Sequence, residues 1–362
     1  MLKRIAVGAA APVLAIALAL VITIVILLLS GNSVSGFLST IFAVPGARNV
    51  VNIINNGSVL YLSALAAAIG FRMNLFNIGV EGQYRVAVFA AAAFTGQNWL
   101  PGILNIIVAF LLAIVCGAAW AAIAGVLKVT RGVSEVISTI MLNAIAVSLT
   151  AYFLRKWGIT VGNALQTKPV PRDSWVPGLD VIPGAPNEVL GLSLLAVLAG
   201  VAYAVVLNRS RFGFDLRATG ASATAAVASG IDVRRMVVTS MVISGGVAAL
   251  IGLPILFGDA HSYSTTFQAG LGFSGIAVAL LGRNHPIGIA FGALLFAYLT
   301  EQSSLLEINA GVSNDIVLIT QGVIVLSVVI AYEVVRRYMV AQEQRSVAEQ
   351  LAPAGSTAEV KA

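Results

Sequence analysis

Charge is what this sequence has least of. Asp, Glu, Lys and Arg make up 10% of its 362 residues, where a soluble domain carries about a quarter. The 21 Lys+Arg and 15 Asp+Glu cannot coat a globule of this length, which excludes an ordinary cytosolic enzyme; disordered and collagen-like chains are excluded with it. Cysteine and histidine are nearly missing. Cys116 stands alone in an apolar stretch, with no intrachain disulfide partner and no metal-ligand cluster around it. His261 and His285 are too few to complete a zinc site with it, so no metal is expected. There is also no Gly-x-x-x-x-Gly-Lys-Ser/Thr loop. The chain is therefore not expected to hydrolyse ATP alone, and energy has to come from an ion gradient or a partner.

What is present is apolar sequence: 59% of residues are hydrophobic and the mean hydropathy is +0.95. This predicts an all-α polytopic membrane protein, with about 20 apolar residues per spanning helix. The first run, 5–29, is too long for the apolar core of a secretory signal, about 7–15 residues, and reads as an anchor helix. Further runs follow at 57–71, 79–97, 103–127, 133–154, 190–207, 236–257, 271–282, 287–305 and 315–335. That makes ten spans, of which 57–71 and 271–282 are short and candidates for re-entrant segments.

Basic residues orient the chain. With both termini in the cytoplasm, the inner ends and loops collect Lys3, Arg4, Arg72, Lys128, Arg131, Arg209, Arg211, Arg217, Arg234, Arg235, Arg283, Arg336 and Arg337, against Arg48, Arg155, Lys156, Lys168 and Arg172 outside. The net charge of +6 and pI near 9.7 reflect this bias, and no nucleic-acid partner is expected. The permease domain spans 1–340. It includes a Pro-rich outer stretch at 155–189, read either as an ordered cap or as a connecting loop, and a long inner loop at 208–235. The polar tail, 341–362, is expected to be disordered.

Polar residues inside the apolar runs are the sharpest signal. Asn74, Asn77, Glu81, Gln83 and Arg85 interrupt the second and third spans. Ionisable groups at that depth mark pathways, but Glu81 and Arg85 are also four apart and can neutralise each other. In the fifth span Glu135, Thr139 and Asn143 share one helical face. That stripe either lines an aqueous route or bonds a neighbouring helix, with Glu135 beside Arg131 at the helix start. Gln321 raises the same choice in the last span. Gly272-Phe-Ser-Gly275 matches a serine-protease signature, but a helix over 274–285 sets Ser274 about 16 Å from His285, and close packing explains its glycines better. Gly288-x-x-x-Gly292, Gly245, Gly246 and Gly252 are read as packing too.

In the inner loop Ala218, Ala221, Ala225 and Ala228 fall at helical spacing, predicting one short helix with a small-residue face ending at Gly230. Such a face suits a socket on a cytoplasmic partner better than a lipid surface. With this loop in view, the chain resembles permease subunits of binding-protein-dependent ABC importers, in the nucleoside and simple-sugar branch. The resemblance is carried by Asn77-Ile-Gly-Val-Glu-Gly-Gln83, Ser134-Glu-Val-Ile-Ser-Thr-Ile-Met-Leu-Asn143, 211–220, 226–235 and 272–288. It covers about 57–335. The sequence departs from the family pattern at Ser222-Ala223, where a pair such as Asn-Pro is usual, and at His285, where Asn is common.

The resemblance implies an ATP-binding partner subunit that carries ATP and Mg, with no cofactor on this chain. It also implies a second permease, related or identical, an extracytoplasmic binding protein and a bilayer of the prokaryotic plasma membrane. The segment matching 218–235 would be the coupling helix, with Arg217, Gly220, Ala225, Ala226, Gly230, Ile231, Arg234 and Arg235 at the ATPase. Solute passage by alternating access would involve Phe76, Asn77, Glu81, Gln83, Glu135, Thr139, Asn143, Phe273 and Gln321. Of these, Phe76, Asn77, Asn143 and Phe273 suit a nucleoside, by stacking and amide bonds. The competing expectation is an ion-coupled secondary transporter using Glu81 or Glu135.

Overall fold

The computed structural model describes residues 2–351. They form two compact units, one holding the chain up to Leu38 and from Leu306, the other Ser39–Leu305. In the first unit α1 (Leu2–Leu29) pairs with α14 (Asn314–Leu351), and α1 buries every fourth residue: Ala15, Ala19, Thr23 and Leu27. Gln321 is buried on α14. The chain passes between the units through α2 (Val34–Ile41) and α13 (Pro286–Ala310).

The second unit is built on α3 (Ala47–Arg72) and α10 (Val233–Ala248), the latter prolonged by α11 (Leu253–Ile255) and a π-helical turn at Leu256–Ala260. Two-thirds of the apolar window of each is buried, against 22% for α5 (Gly102–Arg131), so α3 and α10 form the core and α5 leaves most of its apolar surface exposed. Backbones approach where glycines face each other: a Cβ on Gly117 of α5 would stand 2.5 Å from the Gly245 carbonyl of α10. The expected short span at 57–71 is in fact the C-terminal part of a 26-residue helix. Its N-terminal part reads as polar because it carries Arg48, Asn49, Asn52, Asn55 and Asn56. Asn52 and Asn55 are engaged there: Asn187 donates to Asn52 Oδ1 at 2.8 Å, and the Leu190 amide to Asn55 Oδ1 at 2.9 Å.

Those partners belong to the segment between α6 (Glu135–Trp157) and α7 (Leu194–Arg209). It is an ordered cap. A hairpin pairs β1 (Ile159–Val161) with β2 (Ala164–Gln166), the amides of Thr167, Val170 and Val176 bond the carbonyls of Tyr263, His261 and Phe257, and Trp175 stacks on His261 at 3.7 Å.

Among the described residues seven helices are long and apolar enough to cross a bilayer: α3, α5, α6, Gly191–Arg209, Val233–Ala260, Pro286–Ile308 and Asp315–Val335. Two others are half-length. α4 (Val80–Thr95) has 16 residues and α12 (Leu271–Leu281) has 11, about 24 and 16 Å at 1.5 Å per residue, short of the roughly 30 Å hydrocarbon core. Each follows a non-helical stretch, 73–79 and 261–270. Such backbone survives at membrane depth only where protein or a water-filled cavity satisfies it.

Candidate functional site

The first turns of α4 and α12 meet, and the Asn77-to-Gln83 segment joins them. α3 ends in a Schellman turn with Asn74 in the left-handed region (φ 57°), the Leu75 amide returning to the Gly70 carbonyl. The chain then enters the core at Asn77, which is wholly buried. The Asn77 and Gln83 side-chain amides bond each other reciprocally, at 3.1 and 2.9 Å. Asn77 also donates to Ser244 Oγ at 2.8 Å, and Ser244 donates to the Ala66 carbonyl. Asn143 of α6 accepts from the Gly82 amide and donates to the Ile78 carbonyl, both at 2.9 Å. A Cβ at Gly79 would stand 2.8 Å from Gln83 Nε2, and one at Gly82 2.8 Å from Asn143 Oδ1. Those two positions therefore need glycine.

Glu81 closes the other half-helix. Its Oε1 accepts from Arg85 at 2.8 Å and from the Gly270 amide at 2.9 Å, and its Oε2 accepts from the Gly272 amide at 2.9 Å. A carboxylate at the first turn of α12 also answers the positive end of that helix dipole. Tyr84 donates to the Gln268 carbonyl alongside, and Gly272 lets α12 approach, since a Cβ there would meet the Glu81 amide.

The expected pathway residues thus separate into two groups. Asn77, Glu81 and Gln83 are buried with their polar atoms bonded to protein, and Thr139 returns its hydroxyl to the Glu135 carbonyl of its own helix. Asn143 is buried as a clamp on the 78–82 backbone. Glu135 is held by Lys128, not by the expected Arg131, because Lys128 lies one helical turn back from Arg131 on α5. Phe76 and Phe273, by contrast, are 47% and 52% exposed, and Phe76 rests edge-on against Phe71.

The inner loop also differs in detail. The single alanine-faced helix is two helices, α8 (Arg211–Ala221) and α9 (Ala223–Ala228), broken at Ser222. Its φ of −160° is extended backbone, and its hydroxyl caps α9 at the Ala225 amide. α9 ends in a Schellman turn: the Ile231 amide reaches the Ala226 carbonyl at 3.0 Å, and Gly230 takes φ 81°. Asp232 caps α10 and pairs with Arg235. Of the expected coupling residues, Ala225, Gly230, Arg234 and Arg235 are exposed and Ile231 half-buried. Ala226 is buried, Arg217 donates to the Leu207 carbonyl, and Gly220 lies against the Arg72 carbonyl and Met73 at the end of α3. Arg217 and Gly220 thereby join the loop to α7 and α3. Exposed Val227 and Phe214 are further candidates that the alanine pattern hid. Ser244, Tyr84 and Gly117 are equally hidden, being ordinary small or aromatic residues of apolar runs, whereas Gly272 packs closely as its sequence context predicts.

The family model described as a branched-chain amino acid transport system permease component matches residues 49–331. The guanosine ABC transporter permease protein NupP of Bacillus subtilis is 35% identical over 92% of this chain and 96% of its own length. The nucleoside ABC transporter permease protein NupB of Lactococcus lactis is 31% identical over 89% and 90%. The glucose ABC transporter permease protein TsgB13 of Haloferax volcanii is 33% identical over 78% and 76%. A solved inward-facing structure of a putative metal-chelate type ABC transporter superposes with a TM-score of 0.43 at 15% identity, over 75% of this chain and 80% of that one. A family match across most of the chain and three relatives above 30% identity place this protein among the permease components of the branched-chain amino acid transport system family.

Proposed function

We propose that this chain is the membrane subunit of an ATP-driven importer of a neutral nucleoside. It works with a partner ATPase that binds ATP and Mg, a second permease subunit and an extracytoplasmic binding protein. The observation that carries the reading is the closed pair of half-helices. In transporters a half-helix N-terminus often receives an anionic solute, but here the α12 N-terminus is filled by the protein's own Glu81, which favours an uncharged solute. The two relatives named for guanosine and nucleoside support the same class. Exposed Phe76 and Phe273 offer the stacking surfaces a base needs.

The buried carboxylates also weigh against ion coupling. Glu81 is held by Arg85 and two amides, and Glu135 by Lys128, so each already has its cation. Movement is instead imposed from the cytoplasm. Nucleotide that binds two ATPase conformations unequally shifts the permease equilibrium by that difference, through exposed α9 and the contact of Gly220 with α3. Ten crossings, counting α1, α4 and α12, with both termini in the cytoplasm, agree with the arginine distribution.

The test is uptake of labelled guanosine into proteoliposomes holding the chain with its ATPase, second permease and binding protein. ATP-dependent uptake is expected, and none from the chain alone under a proton or sodium gradient. Uptake by the chain alone would refute the reading.

A further inference from the structure

A crevice of about 250 Å³ runs between α3, α7 and α10, with α8 as its floor. It extends from Leu65 to Arg72 along α3 and from Ala199 to Leu207 along α7, about 10–12 Å of helix in each case. Ala202, Val206 and Ile243 on its rim are exposed, so it opens sideways between α7 and α10. Phe212 and Leu216 of α8 close the bottom.

Water is a poor occupant. A bound water needs two to four polar partners, and the polar side chains lining this space are Arg72 and Tyr203. Both already donate to the Asn284 carbonyl, Arg72 at 2.8 Å and Tyr203 at 2.9 Å. An apolar slot open to the bilayer is filled by hydrocarbon.

The lower edge of that sideways opening carries charge. Val206 and Leu207 of α7 and Phe212 and Gly213 of α8 line the slot there, and they bracket the α7–α8 corner that holds Arg209 and Arg211. Both arginines are exposed, and neither has an ion-pair partner among the described residues. Arg211 also borders a pocket with Asp215, Asp232 and Arg235; Asp232 is paired with Arg235, so with Arg209 and Asp215 counted the corner stays net positive. Anionic headgroups of the cytoplasmic leaflet attract such residues.

We propose that this crevice is a binding site for an anionic phospholipid. One acyl chain lies between α3, α7 and α10, and the phosphate rests on Arg209 and Arg211. The site rests on the chain being embedded in a bilayer with the α7–α8 corner at the cytoplasmic face, not on the identity of the transported solute. It places lipid directly beside α8 and the α3 end that α8 touches.

The test uses the full chain, purified with whatever subunits accompany it, in phosphatidylcholine nanodiscs. These contain a small fraction of phosphatidylglycerol with a photoactivatable acyl chain. Labelling is expected in the peptides holding 65–72 and 199–207. Each arginine near an anionic surface is worth about fivefold in affinity, so Arg209→Gln with Arg211→Gln should need about thirtyfold more lipid for the same labelling. Ala202→Phe, or Ala199→Leu should that variant fail to fold, should fill the slot and remove the label while leaving melting in pure phosphatidylcholine unchanged. The proposal is overturned by equal labelling from photoactivatable phosphatidylcholine, by labelling spread evenly over α5 and α6, by a label that persists in the filled variant, or by displacement with soluble glycerol phosphate.

Discussion

Replacing Glu81 by Gln separates a brace from a pathway residue. In the structure the carboxylate accepts from Arg85 and from the amides of Gly270 and Gly272, with both partners of the ion pair almost wholly buried. Gln keeps one acceptor oxygen, turns an N–H toward an N–H, and leaves the guanidinium without a counter-charge. Breaking a buried pair from one side costs about 3–5 kcal/mol. At roughly 2 °C per kcal/mol, the low end for a long chain, the melting midpoint in detergent should fall by about 6 °C or more. Glu81→Gln with Arg85→Gln should recover much of that, because the stranded charge has gone; a double-mutant cycle gives the coupling. Uptake per folded molecule should change less than stability does. A midpoint within about 1 °C of the parent, together with a large loss of uptake, would mean that Glu81 faces the solute and that the brace assignment is wrong.

Gly230→Ala meets open space but must hold φ 81°, which costs an L-residue about 1–2 kcal/mol; ATPase activity in vesicles should lose its stimulation by transport while the protein stays in the membrane, and Gly230→Asn should retain it. Gly220→Val pushes into the Arg72 carbonyl, 2.3 Å from the added Cβ, and should part α8 from α3, seen as faster proteolysis of the inner loop. Gly82→Ala forces Asn143 off the 78–82 backbone and should lower the melting midpoint by several degrees. Against the 155–189 segment, burial lowers the His261 pKa below its usual 6.5 despite nearby Asp259, and the buried Nδ1 has no hydrogen-bond partner among the described residues. The folded state therefore favours the neutral ring. The stability it contributes is present above about pH 6.5 and is lost as pH falls through the lower folded value, so Trp fluorescence should report loosening of the Trp175 stack in acid, and His261→Gln should flatten that response.

The membrane class and most spans are legible in the sequence because apolar runs are long and charges rare. The N-terminal half of α3 is not, since its asparagines look like a loop until the cap that bonds them is placed. Asn77, Glu81 and Gln83 stand out correctly as unusual residues at depth, but periodicity carries no sign of whether such groups face solute or protein. Their partners, Ser244, Gly270 and Gly272, lie more than 160 residues away in the chain. The break at Ser222 is hidden for a similar reason. Alanine spacing continues across it unchanged, and the stop comes from a hydroxyl cap that a helical count treats as neutral.

These pieces connect in one direction. α9 is exposed, α8 is anchored through Gly220 to the last turn of α3, and the chain leaves α3 at Asn74 directly into the Asn77 amide pair and Glu81. A displacement of α8 therefore acts first on the short non-helical stretch 73–79, whose few residues can absorb a dihedral change without unpacking a full helix. The half-helices on either side are rigid by comparison, since each is held by another helix: α12 by Glu81 of α4, and α4 by Asn143 of α6. On this reading the movement is taken up at 73–76, ahead of the buried Asn77 anchor, where Asn74 and Phe76 are exposed. A disulfide between Phe71→Cys and Phe76→Cys, at positions whose rings touch with centroids 5.3 Å apart, should then abolish uptake when oxidised, and reduction should restore it. Uptake that continues through the crosslinked protein would place the moving element elsewhere.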